Sequence, residues 1–142
     1  KMKKILIVNS NYYKDISNNL LSSAKSILKK AKFNVYTIEV PGVYEIPITI
    51  KKNIKKFDAF VALGCVIKGK TPHFDFICSS TFNAIMDLSI NYSKPIGNGI
   101  ITSLNLSQAY ERSKILNNNK PDKGSEAASA VLSILNNGPK KI

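Results

Sequence analysis

Ala59-Phe60-Val61-Ala62-Leu63-Gly64-Cys65-Val66-Ile67 is a nine-residue run without a charge, and it stops abruptly at Lys68-Gly69-Lys70-Thr71-Pro72. A strand buried on one face alternates apolar and polar residues, whereas a strand covered on both faces is apolar throughout. The stretch therefore predicts a central strand of a parallel sheet, and such a sheet needs helical crossovers on either side.

The flanking sequence supplies them. Ile5-Leu6-Ile7-Val8 is a second short buried run. Ile16, Leu20, Ala24, Ile27, Leu28 and Ala31 then recur at helical spacing. Phe33 to Val40 is rich in strand formers and ends at Pro41-Gly42. After the central run, Thr71-Pro72 is expected to cap and open a helix whose apolar face carries Phe74, Ile77, Cys78, Ile85, Leu88 and Tyr92. Pro95 to Thr102 predicts a fourth strand, Ser107 to Ser113 a short helix and Ser125 to Leu135 a last amphipathic helix, with Asn117-Asn118-Asn119 in a loop. Between Tyr44 and Lys56 the pattern fits a strand or a helix, because Pro47 is tolerated in a first helical turn. The order is βαβαβαβαα, an α/β chain with helices on both faces of a parallel sheet.

Length and composition set bounds. At 142 residues, 1–142 is expected to be one domain with a core large enough to need no disulfide staples. The 44% hydrophobic content is ordinary for a globular chain, and no apolar run approaches a bilayer span. Lys1 to Lys4 before Ile5 does not make a secretory leader, since Asn9-Ser10-Asn11 follows at once, so a cytoplasmic location is expected. Lys1, ahead of Met2, reads as a residue preceding the natural start. Cys65 and Cys78 fit no zinc or redox spacing and read as small core residues. The net charge of +12 raises a nucleic-acid reading, but Arg112 is the only arginine among 21 cationic residues, and base edges and phosphates favour arginine forks. A solvated lysine surface accounts for the charge.

In parallel sheets ligands bind beyond the carboxyl ends of the strands, and unusual residues collect there. Asn9 to Tyr13 follows strand one, Val40-Pro41-Gly42-Val43-Tyr44-Glu45 follows strand two, and Lys68 to His73 follows strand three. A glycine in a basic loop ahead of a helix start is an anion site, although the Walker spacing is absent. His73 is the single histidine and falls about two residues into that helix, where the dipole disfavours an imidazolium and a proton-accepting ring is expected. Glu45 can accept hydrogen bonds from paired hydroxyls, or serve as an ordinary first-turn acid. Arg112 can grip a phosphate through paired charge-assisted bonds, or form a surface ion pair with Glu111 or Asp122.

These residues resemble a known family. Val40-Pro41-Gly42-Val43-Tyr44-Glu45-Ile46-Pro47 and Gly64-Cys65-Val66-Ile67-Lys68-Gly69-Lys70-Thr71-Pro72-His73-Phe74-Asp75 are similar to the two signatures of the lumazine synthases, and Glu111-Arg112 and Asp122-Lys123-Gly124 extend the likeness from Lys4 to about Asn136. The resemblance implies a flavodoxin-like three-layer sandwich with sheet order 2-1-3-4, and it favours a helix for Tyr44 to Lys56. It implies condensation of 5-amino-6-(D-ribitylamino)uracil with L-3,4-dihydroxy-2-butanone 4-phosphate, releasing phosphate and water, without metal or organic cofactor.

It also implies roles. Tyr12 matches the aromatic that stacks on the pyrimidine. Glu45 matches the acid for the ribityl hydroxyls, with Val43 and Tyr44 beside it, and Cys65, Val66 and Ile67 lie along the heterocycle. Gly69, Lys70 and Thr71 match the phosphate loop and His73 the proton-transfer histidine. Family pockets form between neighbours in a pentamer, so Asn98, Arg112 and Lys123 are expected from the next chain. Two features depart from the pattern: Asn98 stands where many members have phenylalanine near the end of strand four, and the link from Arg112 to Gly124 is long. A catalytically silent lumazine or flavin binder and a basic nucleic-acid binder are the alternatives.

Overall fold

The computed structural model describes residues 2–114 and 120–142. The Asn117-Asn118-Asn119 run expected in a loop lies outside the described residues. Strands β1 (Lys4–Ser10), β2 (Asn34–Val40), β3 (Ala59–Ile67) and β4 (Ile96–Ser103) form one parallel sheet in the order β2-β1-β3-β4. The helices are α1 (Lys14–Lys30), α2 (Ile46–Lys52), α3 (His73–Tyr92), α4 (Leu106–Ser113) and α5 (Lys123–Asn136).

The alternation of side chains along the strands builds two core layers. Ile5 and Ile7 of β1 with Val61 and Leu63 of β3 pack against Ile16, Leu20 and Leu28 of α1 and Ala128 and Val131 of α5. Leu6 and Val8 with Phe60 and Ala62 pack against Ile46 and Ile50 of α2 and Ile85 of α3. Each fully buried Val, Leu, Ile or Phe side chain among these contributes about 1.5–3 kcal/mol relative to exposure. The order 2-1-3-4 and the helices on both faces are those of a flavodoxin-like three-layer α/β fold.

Two close approaches fix where α5 sits. A Cβ on Gly97 of β4 would lie 2.3 Å from the Ala127 carbonyl oxygen, and one on Gly124 would lie 2.5 Å from that of Leu20. Only glycine lets α5 lie this close to β4 and α1. Asp122 caps α5 by accepting the Ser125 N–H at 3.0 Å.

The ambiguous stretch resolves into a single 3₁₀ turn, Val43–Glu45, followed by α2 with Pro47 in its first turn. The helix ends at Lys52, four residues short of the expected Lys56. The apolar positions Ile46, Ile50 and Ile54 lie four apart and are buried together, which selects the helical period over the alternating one. β1 is longer than its apolar run, because Asn9 and Ser10 continue the pairing with Glu39 and Val40.

Candidate active site

The carboxyl ends of β1, β2 and β3 meet at one end of the sheet, where the Asn11 N–H donates to the Val40 carbonyl at 3.0 Å and joins the first two loops. Between these loops and the start of α3 lies a pocket of about 440 Å³. Its walls are Tyr12 and Tyr13 after β1, Gly42, Val43 and Tyr44 after β2, Cys65, Val66 and Ile67 of β3, and His73 and Ile77 of α3. Seven of the sequence-predicted residues are therefore brought together: Tyr12, Val43, Tyr44, Cys65, Val66, Ile67 and His73.

The pocket pairs an apolar slot with polar rims. Tyr12 is 72% and Tyr44 63% exposed, so two aromatic faces stand unburied at the mouth. Val66 and Ile67 are half-buried on the strand end, while Cys65 is buried. Burial pushes the Cys65 thiol up to about 11, which keeps it a neutral, small wall residue. Cys78, expected in the core, is only half-buried on α3, and burial followed by the charge of Asp75 raises its thiol too.

Helix α3 begins at His73, with Pro72 in the capping position and no side-chain cap bond. Thr71, the expected cap, stands one residue further back, and its Oγ1 accepts the His73 N–H at a long 3.4 Å. His73 is thus the first helical residue, exposed and facing the pocket. Gly69, Lys70 and Thr71 are exposed ahead of the positive end of α3 and do not line the pocket. A Cβ on Gly69 would meet nothing within 4 Å, so the backbone there borders open space. Glu45 is also outside the pocket, in an adjoining groove shared with Tyr44, Ser80 and Thr81.

The remaining predicted residues form a second pocket of about 460 Å³ along β4, the edge strand. Asn98, Arg112 and Lys123 line it, together with Phe82, Thr102, Lys114 and Lys120. Arg112 makes neither of the expected ion pairs; its guanidinium donates to the Thr102 carbonyl at 2.8 Å, which anchors the fork at the pocket wall. Lys123 lies 3.8 Å from Glu126. Asn98 is the third residue of β4, not near its end, and its Oδ1 accepts the Ile100 N–H at 3.0 Å. Within one chain, His73 and Arg112 line separate pockets.

Tyr13, Gly42 and Ile77 also line the first pocket; the sequence placed Tyr13 and Gly42 in the loops at the strand ends and Ile77 on the apolar face of the helix, without a site role. The signal for Tyr13 was its adjacency to Tyr12. Among the described residues no group of three or more His, Cys, Asp or Glu side chains is placed to hold a metal ion, and no helix is long and apolar enough to cross a membrane.

The family model described as 6,7-dimethyl-8-ribityllumazine synthase matches residues 2–138. The chain is 42% identical over 137 residues to the 6,7-dimethyl-8-ribityllumazine synthase of Bartonella tribocorum, covering 94% of this chain and 91% of that protein. It is 37% identical over 138 residues to the Methylorubrum populi protein of the same name, covering 92% and 82%. With nearly the whole chain matched on both counts, it belongs to the 6,7-dimethyl-8-ribityllumazine synthase family, transferases of riboflavin biosynthesis.

Proposed function

We propose that the two pockets are halves of one lumazine synthase site, completed where adjacent copies of this single-domain chain meet. The observation that carries this reading is the separation of the sole histidine and the sole arginine into two open pockets, one at the strand ends and one on edge strand β4. Exposed Ile48, Phe76, Met86 and Ile90 on α2 and α3 support burial of these helices against neighbours. A pentamer, or an assembly of pentamers, is the arrangement expected.

In the completed site the Tyr12 ring stacks on the pyrimidine, beside Val43, Tyr44 and the β3 end from Cys65 to Ile67. Glu45 accepts the ribityl hydroxyls. The phosphate of the four-carbon ketone sits between the Gly69-Lys70-Thr71 loop at the α3 end and the neighbour's Arg112, while the neighbour's Asn98 and Lys123 close the far wall. Holding the ketone against the pyrimidine amine supplies proximity, worth up to about 7–11 kcal/mol when alignment is good. The 5-amino group attacks the ketone carbonyl and water leaves to give the imine. Removal of the neighbouring C3 proton then lets phosphate depart with the C4–O electron pair, the resulting enol becomes a ketone, and the ribitylamino nitrogen closes the ring on that carbonyl with loss of a second water. His73 moves the protons these steps require. The free thiols of Cys65 and Cys78 support a reducing, cytoplasmic compartment.

Steady-state phosphate release with both substrates, combined with light scattering, tests the reading. Release that needs both substrates, from a particle that is a multiple of 15.7 kDa, is expected. Full activity in a monomer contradicts the shared site, and absence of release contradicts the reaction.

A further inference from the structure

Tyr12 and Tyr13 leave β1 as consecutive aromatics with different surroundings. Tyr12 is largely exposed, whereas Tyr13 is half-buried and packed against the core layer beneath α1 and α5. The Tyr13 backbone is fixed as well, because it is the cap of α1 and its carbonyl accepts the Ser17 N–H at 2.9 Å. The two rings meet with centroids 4.9 Å apart and planes at 75°, an edge-to-face contact. Both line the pocket that His73 faces.

An exposed tyrosine on a loop is free to turn about two side-chain torsions, and a stacking face is useful only at one tilt. An edge-to-face partner that is itself held by the core restricts that freedom, and such ring pairs carry stabilisation beyond their buried area. Tyr13 has the anchoring that Tyr12 lacks.

We propose that Tyr13 is a positioning residue: its core-held ring fixes the Tyr12 ring at the tilt that stacks on the pyrimidine substrate. The inference rests on the reading that Tyr12 is the stacking aromatic. Its phenol is not needed for the role, and burial, then Cys65, then Tyr12 raise that phenol above its ordinary range, so it stays neutral beside the slot.

The test is steady-state kinetics on the intact assembly, with each substrate varied in turn. Tyr13→Leu is expected to raise the pyrimidine KM about three- to tenfold while kcat and the KM for the phosphorylated ketone stay within about twofold. Tyr13→Phe, which keeps the ring, is expected to restore the pyrimidine KM to within about twofold of the original. Tyr13→Met, closer in length, carries the same expectation as leucine if the leucine variant fails to fold. The double variant Tyr12→Leu/Tyr13→Leu is expected to match Tyr12→Leu alone, because Tyr13 acts through Tyr12. An unchanged pyrimidine KM in Tyr13→Leu, a rise in both KM values, additive effects, or a phenylalanine variant as impaired as leucine overturns the proposal. A Tyr12→Leu variant with unaltered pyrimidine KM would instead overturn the stacking reading, and lack of phosphate release by the unmodified enzyme would overturn the function itself.

Discussion

His73 and Arg112 face different pockets of the same chain: the imidazole opens α3 at the strand ends, while the guanidinium is tied to the Thr102 carbonyl at the end of edge strand β4. One backbone hydrogen bond leaves most of the guanidinium's five donors for another acceptor. Under the proposed site, phosphate binding and proton transfer fall to different pockets, so the two are expected to be perturbed independently.

Removal of the fork should act on one substrate. Arg112→Ala is expected to raise the KM for the phosphorylated ketone about 10- to 100-fold, from lost charge-assisted bonds of about 1.5–3 kcal/mol, with a much smaller effect on the pyrimidine. Initial rates with each substrate varied check this, and equal effects on both contradict the phosphate role.

His73→Ala is expected to lower kcat by about 10²–10⁴-fold and to leave both KM values nearly unchanged. Turnover persists above background because positioning by the remaining walls survives. A kcat equal to that of the unmodified enzyme removes the proton-transfer assignment.

Stability depends on the glycines that admit α5. Gly97→Ala places a Cβ 2.3 Å from the Ala127 carbonyl oxygen, a backbone atom that cannot step aside. A loss of about 1–3 kcal/mol is expected in thermal or urea unfolding. Gly69→Ala, with open space around its Cβ, is expected to unfold like the unmodified chain. Equal unfolding of all three would contradict the packing described for β4 and α5.

Burial of Cys65 makes stability fall at high pH. The unfolded thiol ionises near its ordinary 9.0 and the native one at about 11, so below pH 9 both states keep the proton and the contribution is complete. As pH rises through 9 toward 11 the unfolded chain releases the proton first, and the contribution is lost. Melting temperatures of the unmodified chain and Cys65→Ala, measured from pH 7 to 10.5, should converge over that window. Parallel declines contradict the burial argument.

Much of this was legible in the residues. The uninterrupted apolar runs at Ile5 and Ala59 marked strands covered on both faces, and the helical spacing from Ile16 marked the crossover that packs on them. The stretch from Tyr44 was not decidable locally, because Tyr44, Ile46, Ile48 and Ile50 alternate like a strand; packing of Ile46 and Ile50 against Leu6 and Val8 selects the helix. The start of α3 was one residue out because Thr71 and Pro72 together imitate a cap and first turn, whereas Pro72 itself takes the capping position. Within the site, the resemblance already assigned Asn98, Arg112 and Lys123 to a neighbouring chain, but the motif residues carried no distances, so the two pocket linings emerged only from the fold. Tyr13 stood in the loop after strand one without a role, because the role proposed for it lies in the angle of a neighbouring ring, which no motif spells out.

Subunit complementation tests the shared site most directly. His73→Ala and Arg112→Ala chains, each severely impaired alone when the ketone is held below the KM of the unmodified enzyme, are unfolded, mixed in equal amounts, refolded together and assayed at that ketone concentration. If each site takes its imidazole from one copy and its guanidinium from the next, about a quarter of the sites in a random mixture carry both groups, and activity should return to about that fraction of the unmodified enzyme. A mixture no more active than the mean of its two components contradicts the account.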